Sequence, residues 1–147
     1  MSKGSVIFIC IHNSARSQFA EANLKKFGSD LFDRVESAGL ESGKLNPLVV
    51  QAMAEKGIDI SVNGTKEAME FVRNGTHFDY VITVCDQANA ERCPIFPGFN
   101  TKLRWSFRDP SRLTDTDEAK LIQIRQIRDE IAETVQNWAE TIRIKSS

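Results

Sequence analysis

One cysteine and one arginine near the start of the sequence stand at a spacing that could do chemistry. Cys10 follows the apolar run Val6–Ile9, and five residues separate it from Arg16. A loop between a strand end and a helix start offers inward-pointing amides and a positive helix dipole, which favour a thiolate over a thiol. Arginine adds a planar fork of N–H donors. The pattern predicts a loop that binds an oxyanion, such as arsenate, phosphate or sulfate, and aims a sulfur nucleophile at its central atom.

The residues around this pair have narrower roles. Besides Arg16, the candidates for oxyanion binding are the loop residues Ile11, His12, Asn13, Ser14 and Ala15. The side-chain amide of Asn13 could brace the loop, although asparagine is also common in turns. Ser17 could donate a hydrogen bond to the thiolate, or could simply begin a helix. We expect His12 to be a loop residue rather than a base. The alternative for the whole segment is a buried structural cysteine near an unrelated arginine.

The elements that must position these residues follow from the hydrophobic pattern. Apolar runs predict strands at Ser5–Cys10, Arg34–Ala38, Asp79–Val84 and Lys102–Trp105. Helices are expected at Ser14–Phe27, from Asn46 to about Lys56, at Thr65–Asn74, and as one long amphipathic helix through Ile124–Ile142. Because of its prolines and glycine, Asp86–Asn100 is predicted to be largely loop.

Strands that alternate with helices indicate an α/β fold with a parallel sheet. We expect one domain over residues 1–147, with a central four-stranded parallel sheet flanked by helices on both faces. Ligands of such sheets bind beyond the carboxyl ends of the strands. Cys10 and Cys85, which each end a strand, should therefore open onto the same edge.

Composition excludes several classes of function. The net charge of -1 gives no basic excess for nucleic acid and no polybasic run for a membrane surface. No apolar stretch approaches the roughly 20 residues of a membrane span, and none resembles a signal peptide. We therefore expect a cytoplasmic protein, and nothing in the sequence demands an oligomer, so we expect a monomer. Cytoplasmic thiols are kept reduced, so the three cysteines are expected to be chemical rather than structural.

Three segments carry a resemblance to a known family. The segment "CIHNSARS", which starts at Cys10, resembles the active-site loop shared by low-molecular-weight protein tyrosine phosphatases and the arsenate reductases built on the same fold. The phosphatases generally have glycine in place of His12 and a second cysteine in place of Ala15, so the loop is more similar to that of the reductases. The segments "VCDQANAERCP" and "RDP" agree with this. The resemblance covers nearly the whole chain and implies a low-molecular-weight tyrosine phosphatase-like fold and arsenate reductase activity.

The resemblance implies a relay of three cysteines. Cys10 would attack arsenate, Cys85 would attack Cys10 and release arsenite, and Cys93 would attack Cys85 to carry the disulfide outward. An external thiol reductant would then regenerate the enzyme. Thioredoxin is the expected partner, with glutaredoxin plus glutathione, or mycothiol, left open; the two relay cysteines lie one residue further apart here than in the best-described thioredoxin-coupled type. The alternative is a core cysteine at Cys85 and a surface thiol at Cys93.

Asp109 is the candidate general acid. Pro110 restricts it to extended geometry, and a carboxylic acid held over the oxyanion could protonate the departing oxygen. The alternative is an ordinary Asp-Pro turn. The phosphatases usually follow this motif with tyrosines, whereas Ser111 and Arg112 follow here, and the chain has a single tyrosine, Tyr80.

Two other functions remain open at this point. One is a phosphatase of the low-molecular-weight type, which would use Cys10, Arg16 and Asp109 alone through a phosphocysteine. The other is a non-enzymatic oxyanion-binding or redox-sensing protein in which Cys85 and Cys93 pair without turnover.

No tightly bound cofactor and no metal are expected. The three cysteines and two histidines include no Cys-x2-Cys pair. Some thioredoxin-coupled reductases of this family bind potassium beside the loop, and Asn13, Glu21 and Ser37 match those positions in type. Lys66 stands where a further acidic residue is expected, so we expect no potassium site.

Overall fold

Four strands and five helices make up the described part of the chain. The structure is a computed structural model that describes residues 3–146, without the side chains of Gln87, Ala88 and Ser146. Its strands are β1 (Gly4–Cys10), β2 (Phe32–Gly39), β3 (Tyr80–Thr83) and β4 (Thr101–Arg104). Its helices are α1 (Arg16–Phe27), α2 (Pro47–Ala54), α3 (Ala68–Arg73), α4 (Gln87–Ala90) and α5 (Asp117–Ser146), and a short 3-10 turn covers Pro110–Arg112.

The strands form one parallel sheet in the order β2-β1-β3-β4. The predicted four-stranded parallel sheet is therefore confirmed. In this register Cys10 lies beside Gly39, and Thr83 lies beside Arg104. Because all four strands run the same way, their carboxyl ends meet at one edge of the sheet, where ligands of α/β proteins bind.

The sheet is covered on both faces, as expected. Side chains of β1 alternate: Val6, Phe8 and Cys10 pack into a core with α1, α2 and α5. Ile7 and Ile9 pack into a second core with α3 and the loop that contains Phe96. Every residue from Val6 to Cys10 is buried, because a central strand of a parallel sheet has no solvent face.

The long helix α5 is held by an aromatic cluster. Trp138 stacks on Phe32 with ring centroids 5.5 Å apart, and meets Tyr80 and Trp105 edge-on at 5.1 and 5.8 Å. Each such pair contributes about 0.5–1.5 kcal/mol beyond its buried area. The one tyrosine of the chain is therefore used in packing, at the start of β3.

Two helix boundaries differ from the sequence prediction for a physical reason. The first helix starts at Arg16 rather than Ser14, and the third at Ala68 rather than Thr65. The segment before α3 is extended because its backbone bonds elsewhere: the N–H of Gly39 donates to the carbonyl of Lys66 at 2.7 Å, and Glu67 bridges to Gly39. The turn α4 is the helical part of the predicted loop over Asp86–Asn100.

Within residues 3–146, no helix combines the length and the apolar character needed to cross a membrane.

Candidate active site

The loop after Cys10 is tied to its surroundings by backbone hydrogen bonds. The carbonyl of Cys10 accepts from the N–H of Leu40 at 3.0 Å, and that of Ile11 accepts from Glu41 at 2.9 Å. Gly39, at the end of β2, lies against this loop. A Cβ on Gly39 would stand 2.7 Å from both the carbonyl carbon of His12 and the carbonyl oxygen of Ile11. The close approach of the two backbones therefore requires glycine here.

Asn13 combines an unusual backbone conformation with several side-chain hydrogen bonds in the loop. Its φ of 56° is the one positive value at a non-glycine residue within 3–146, in a region that asparagine tolerates better than most residues. Its buried side-chain oxygen accepts from the N–H of Lys66 at 3.0 Å and from Nε2 of Gln18 at 3.3 Å. Its Nδ2 donates to the hydroxyl oxygens of Ser17 at 2.8 Å and Ser37 at 2.9 Å. Asn13 braces the loop, as predicted.

The Cys10 sulfur receives donors from two directions. The N–H of Asn13 points at it from 3.2 Å, and the Ser17 hydroxyl lies 2.9 Å away. Since the Ser17 oxygen already accepts from Asn13, its own proton is free to donate to the sulfur. The Ser17 hydroxyl is therefore placed to donate to the sulfur, and its catalytic role stays a prediction.

Arg16 begins α1 with its side chain turned into the protein. It is 4% exposed, its NH1 donates to the carbonyl of Phe107 at 3.1 Å, and its NH2 lies 3.5 Å from Oδ2 of Asp109. Ala15, at the N-cap, has no side-chain acceptor for the first-turn amides. The start of α1 therefore combines backbone N–H groups, a positive dipole end and a buried guanidinium, which together suit an oxyanion.

Asp109 reaches Arg16 from the start of the Pro110–Arg112 turn. Its Oδ1 accepts from the backbone N–H of Ser111 at 2.9 Å and from the Ser111 hydroxyl at 2.7 Å. These bonds hold the carboxyl group so that Oδ2 is directed to Arg16. Asp109 thus caps the Pro110–Arg112 turn and also contacts Arg16. The two alternatives for Asp109, an Asp-Pro turn and a position in the site, are therefore compatible.

Cys85 lies close to this centre. It is buried, and burial raises the pKa of its thiol, an effect that Arg16 opposes and that the nearby Cys10 and Asp86 reinforce. Arg16 therefore acts electrostatically on both the oxyanion site and the second cysteine. Cys85 also lines a cavity of about 350 Å³ with Trp105.

Cys93 stands one step further out. Burial raises the pKa of its thiol to about 11, with Lys102 and Arg104 opposing this shift and Cys85 adding to it. Its thiol makes a weak hydrogen bond to the carbonyl of Pro94 at 3.6 Å. All three cysteines are free thiols.

The hydrogen-bond network extends from Asn13 to the far side of the loop. Ser37 donates to Oε1 of Glu21, and Oε2 of Glu21 pairs with Lys25 at 2.6 Å. The ammonium of Lys66 pairs with Glu36 at 3.0 Å. No group of three or more His, Cys, Asp or Glu side chains placed to hold a metal occurs in the part of the chain that the structure describes.

Among loop residues 11–16, His12 has the one exposed side chain. Its Nε2 lies 3.7 Å from Oε2 of Glu41. Sequence reasoning missed two contributors to the site: Gly39, whose missing side chain admits the loop, and the carbonyl of Phe107, which anchors Arg16. A glycine at the carboxyl end of a predicted strand was the available signal for the first, whereas no side-chain pattern could reveal the second.

Comparison with known proteins places the chain in a family. It is 41% identical over 143 residues to the arsenate reductase of Bacillus licheniformis, covering 96% of this chain and 99% of that one. Among solved structures, an arsenate reductase of Archaeoglobus fulgidus matches with a TM-score of 0.73 at 27% identity, over 92% of this chain and 98% of that chain. A thioredoxin-dependent arsenate reductase of Corynebacterium glutamicum matches with a TM-score of 0.70 at 29% identity, over 98% of this chain and 64% of that chain. Since residues 5–147 also match its family profile, the chain belongs to the low molecular weight phosphotyrosine protein phosphatase family.

Proposed function

We propose that this chain is an arsenate reductase, which converts arsenate to arsenite at the Cys10 loop. Relatives that carry this name match it over nearly their whole length. One structural observation carries the proposal: the sulfur of Cys10 lies within hydrogen-bond distance of the Asn13 N–H and the Ser17 hydroxyl, beside a buried arginine, and a second buried thiol, Cys85, lies within the electrostatic reach of both. A hydrolase needs the first two groups, and a reductase needs all three.

In the first step, the loop binds arsenate and Cys10 attacks it. The amides of residues 11–16 and the guanidinium of Arg16 hold the oxyanion, while the Cys10 sulfur forms a bond to arsenic. An arsenate oxygen leaves as water after taking a proton from Asp109. The 3.5 Å contact between Arg16 and Asp109 supports these roles, because an anion that enters between them meets donors on one side and a proton carrier on the other.

In the second step, arsenic is reduced. The thiolate of Cys85 attacks the Cys10 sulfur, a disulfide forms, and the sulfur–arsenic bond breaks with its electron pair left on arsenic. Two thiols lose two electrons, and As(V) becomes As(III), released as arsenite. The thiolate of Cys93 then attacks Cys85, and Cys10 leaves as a thiolate into the two donors that hold it in the resting enzyme.

An external thiol reductant completes the cycle, and we propose thioredoxin. A dithiol protein of this kind reduces a disulfide that lies near the surface, which suits Cys85–Cys93 better than a bridge to the buried Cys10. The same chemistry needs reduced thiols at rest, which supports a cytoplasmic location. We further propose that the chain acts as one domain.

The test is a count of thiols in variants given one exposure to arsenate without reductant. The wild type should lose two thiols to a Cys85–Cys93 bridge and release about one arsenite per chain. Cys93→Ser should release its arsenite but stop at Cys10–Cys85, and then fail to turn over with thioredoxin. Cys85→Ser should release none.

A phosphatase would respond differently. It should hydrolyse an aryl phosphate equally well in all three proteins and keep all of its thiols after arsenate. Retention of three thiols in the wild type, with no arsenite released, would overturn the proposal.

A further inference from the structure

Strand β4 presents two cations to the cysteine that ends the relay. Leu103 and Trp105 pack against the core that contains α1, α2 and α5. Because side chains alternate along a strand, Lys102 and Arg104 lie on the opposite face. Cys93 packs against the second core, which lies on that face.

Arg104 is shared by the cavities that contain Cys85 and Cys93. It lines a cavity of about 230 Å³ together with Cys93 and Lys102. It also lines the neighbouring cavity that contains Cys85. The backbone pairing explains this position, because Arg104 lies beside Thr83, two residues before Cys85.

The charge of Arg104 is not neutralised by a partner. Within the described residues, the side chains of Lys102 and Arg104 make no hydrogen bond or ion pair. Most other arginines of the chain form ion pairs, as Arg128 and Arg143 do with their acidic partners. A guanidinium stays charged at every pH of use, and its long stem can follow a thiolate that moves.

Cys93 needs such help. Burial raises the pKa of the Cys93 thiol to about 11 even though Lys102 and Arg104 lower it, so the loss of either cation should raise that pKa further. Disulfide exchange requires the thiolate. Of the other charged groups around the path, Arg16 favours a thiolate at Cys85, whereas Asp86, which acts on Cys85, and Glu91, which lines the cavity of Cys93, disfavour one.

We propose that Arg104, together with Lys102, activates Cys93 electrostatically for its attack on Cys85. This inference rests on the relay in the proposed function. In the step concerned, the proton of Cys93 passes to solvent, and its thiolate forms a bond to the Cys85 sulfur. The Cys85–Cys10 bond breaks, and its electron pair leaves with Cys10. The negative charge thus moves past the guanidinium during the exchange.

The test follows one turnover by rapid mixing of the reduced protein with arsenate, acid quench, alkylation and peptide mass mapping. The variants are Arg104→Lys, Arg104→Gln and Arg104→Glu, with Arg73→Gln as the matched control, since it removes the same charge from an exposed position at the end of α3. Arsenite release reports on Cys85. Appearance of the Cys85–Cys93 bridge reports on Cys93.

The expected result is a series ordered by charge. Arsenite release stays within about twofold of wild type in all variants, whereas conversion to Cys85–Cys93 slows about tenfold in Arg104→Gln and further in Arg104→Glu. Arg104→Lys retains most of the rate. Because charge effects at an exposed residue are screened by salt, 1 M NaCl should slow the wild type towards Arg104→Gln. A packing role would not give this salt effect or the lysine rescue.

Two outcomes would overturn the inference in different ways. Bridge formation at the wild-type rate in Arg104→Gln and Arg104→Glu would remove the role of Arg104 and leave the relay intact. A wild type that releases arsenite and never forms Cys85–Cys93 would overturn the relay, and the role of Arg104 with it.

Discussion

The segments around Cys10 and Cys93 are built in opposite ways. Cys10, Asn13 and Arg16 of the Cys10 loop are buried, and Asn13 bonds through both ends of its side chain. The segment after Cys93 has two large apolar side chains in solvent, Ile95 at 80% and Phe99 at 96% exposure. The sulfur of Cys10 makes two hydrogen bonds, with the Asn13 N–H and the Ser17 hydroxyl, whereas that of Cys93 makes one weak bond as a donor.

This contrast matches what the two steps demand. The first step is an attack on a bound oxyanion, which needs a fixed thiolate at a fixed distance. The last step is an exchange between sulfurs, which needs a thiol that can leave its pocket. A segment with few buried contacts can open locally at low cost. A half-buried and protonated Cys93 is also less open to chance oxidation than an exposed thiolate.

The largest effect should come from a methyl group placed against the rigid loop. In Gly39→Ala, the new Cβ would stand 2.5 Å from the carbonyl oxygen of Glu41 and 2.7 Å from loop atoms of Ile11 and His12. The loop must shift by nearly an ångström, and misplacement on this scale reduces the rate of the first step by at least about a hundredfold. Rapid-quench measurement of arsenite release checks this.

Gly64→Ala is the control for this variant, because a Cβ there meets nothing within 4 Å. It should keep wild-type activity. Wild-type activity in Gly39→Ala would mean that the Cys10 loop tolerates displacement and is not the rigid segment of the two.

The next effect concerns the pKa of Cys93. Its burial raises that pKa to about 11, so the thiolate fraction rises about tenfold per pH unit from pH 7 to pH 9. Alkylation of Cys93 by iodoacetamide, mapped by mass spectrometry, should therefore accelerate about a hundredfold over this range. The sign follows from the titration, since the charged and reactive form is the deprotonated one.

The same cysteine in guanidinium chloride provides the reference. There its pKa returns to about 8.5, and the alkylation rate should level off near pH 9. A native rate that levels off at the same pH would show that burial does not protect Cys93.

The fold could be read from the sequence because it depends on patterns that burial imposes. The continuous apolar run of β1 is buried on both faces. The apolar side chains that recur at helical spacing along α5 face one core. The boundaries that failed, at Ser14 and Thr65, lie where backbone groups serve the Cys10 loop rather than a helix. Local propensity does not contain that information, since the partner of Lys66 is Asn13, 53 residues away.

The site shows the same division. Cys10, Arg16 and Asp109 are predicted from chemical type, spacing and the family resemblance, and the structure places Asp109 3.5 Å from Arg16 of the Cys10 loop. The exposure of the His12 side chain and the close approach of Gly39 to the loop backbone depend on the position of β2 beside the loop. Such contacts arise from the tertiary arrangement of two strands, so neither sequence segment alone encodes them.

The smallest effect should come from Glu41, which connects the two contrasted segments. Its backbone N–H bonds to the Cys10 loop at Ile11, and its carboxylate lies 3.3 Å from NH2 of Arg92, next to Cys93. Both side chains of this ion pair are more than half exposed, so its strength is modest. In Glu41→Gln, the segment around Cys93 should open more readily, and the Cys85–Cys93 bridge should form about twofold faster while arsenite release is unchanged. A double-mutant cycle with Arg92→Gln isolates the pair, because the second substitution should add nothing once the first has broken it. Additive effects in the double variant would mean that this ion pair does not couple the segment around Cys93 to the Cys10 loop.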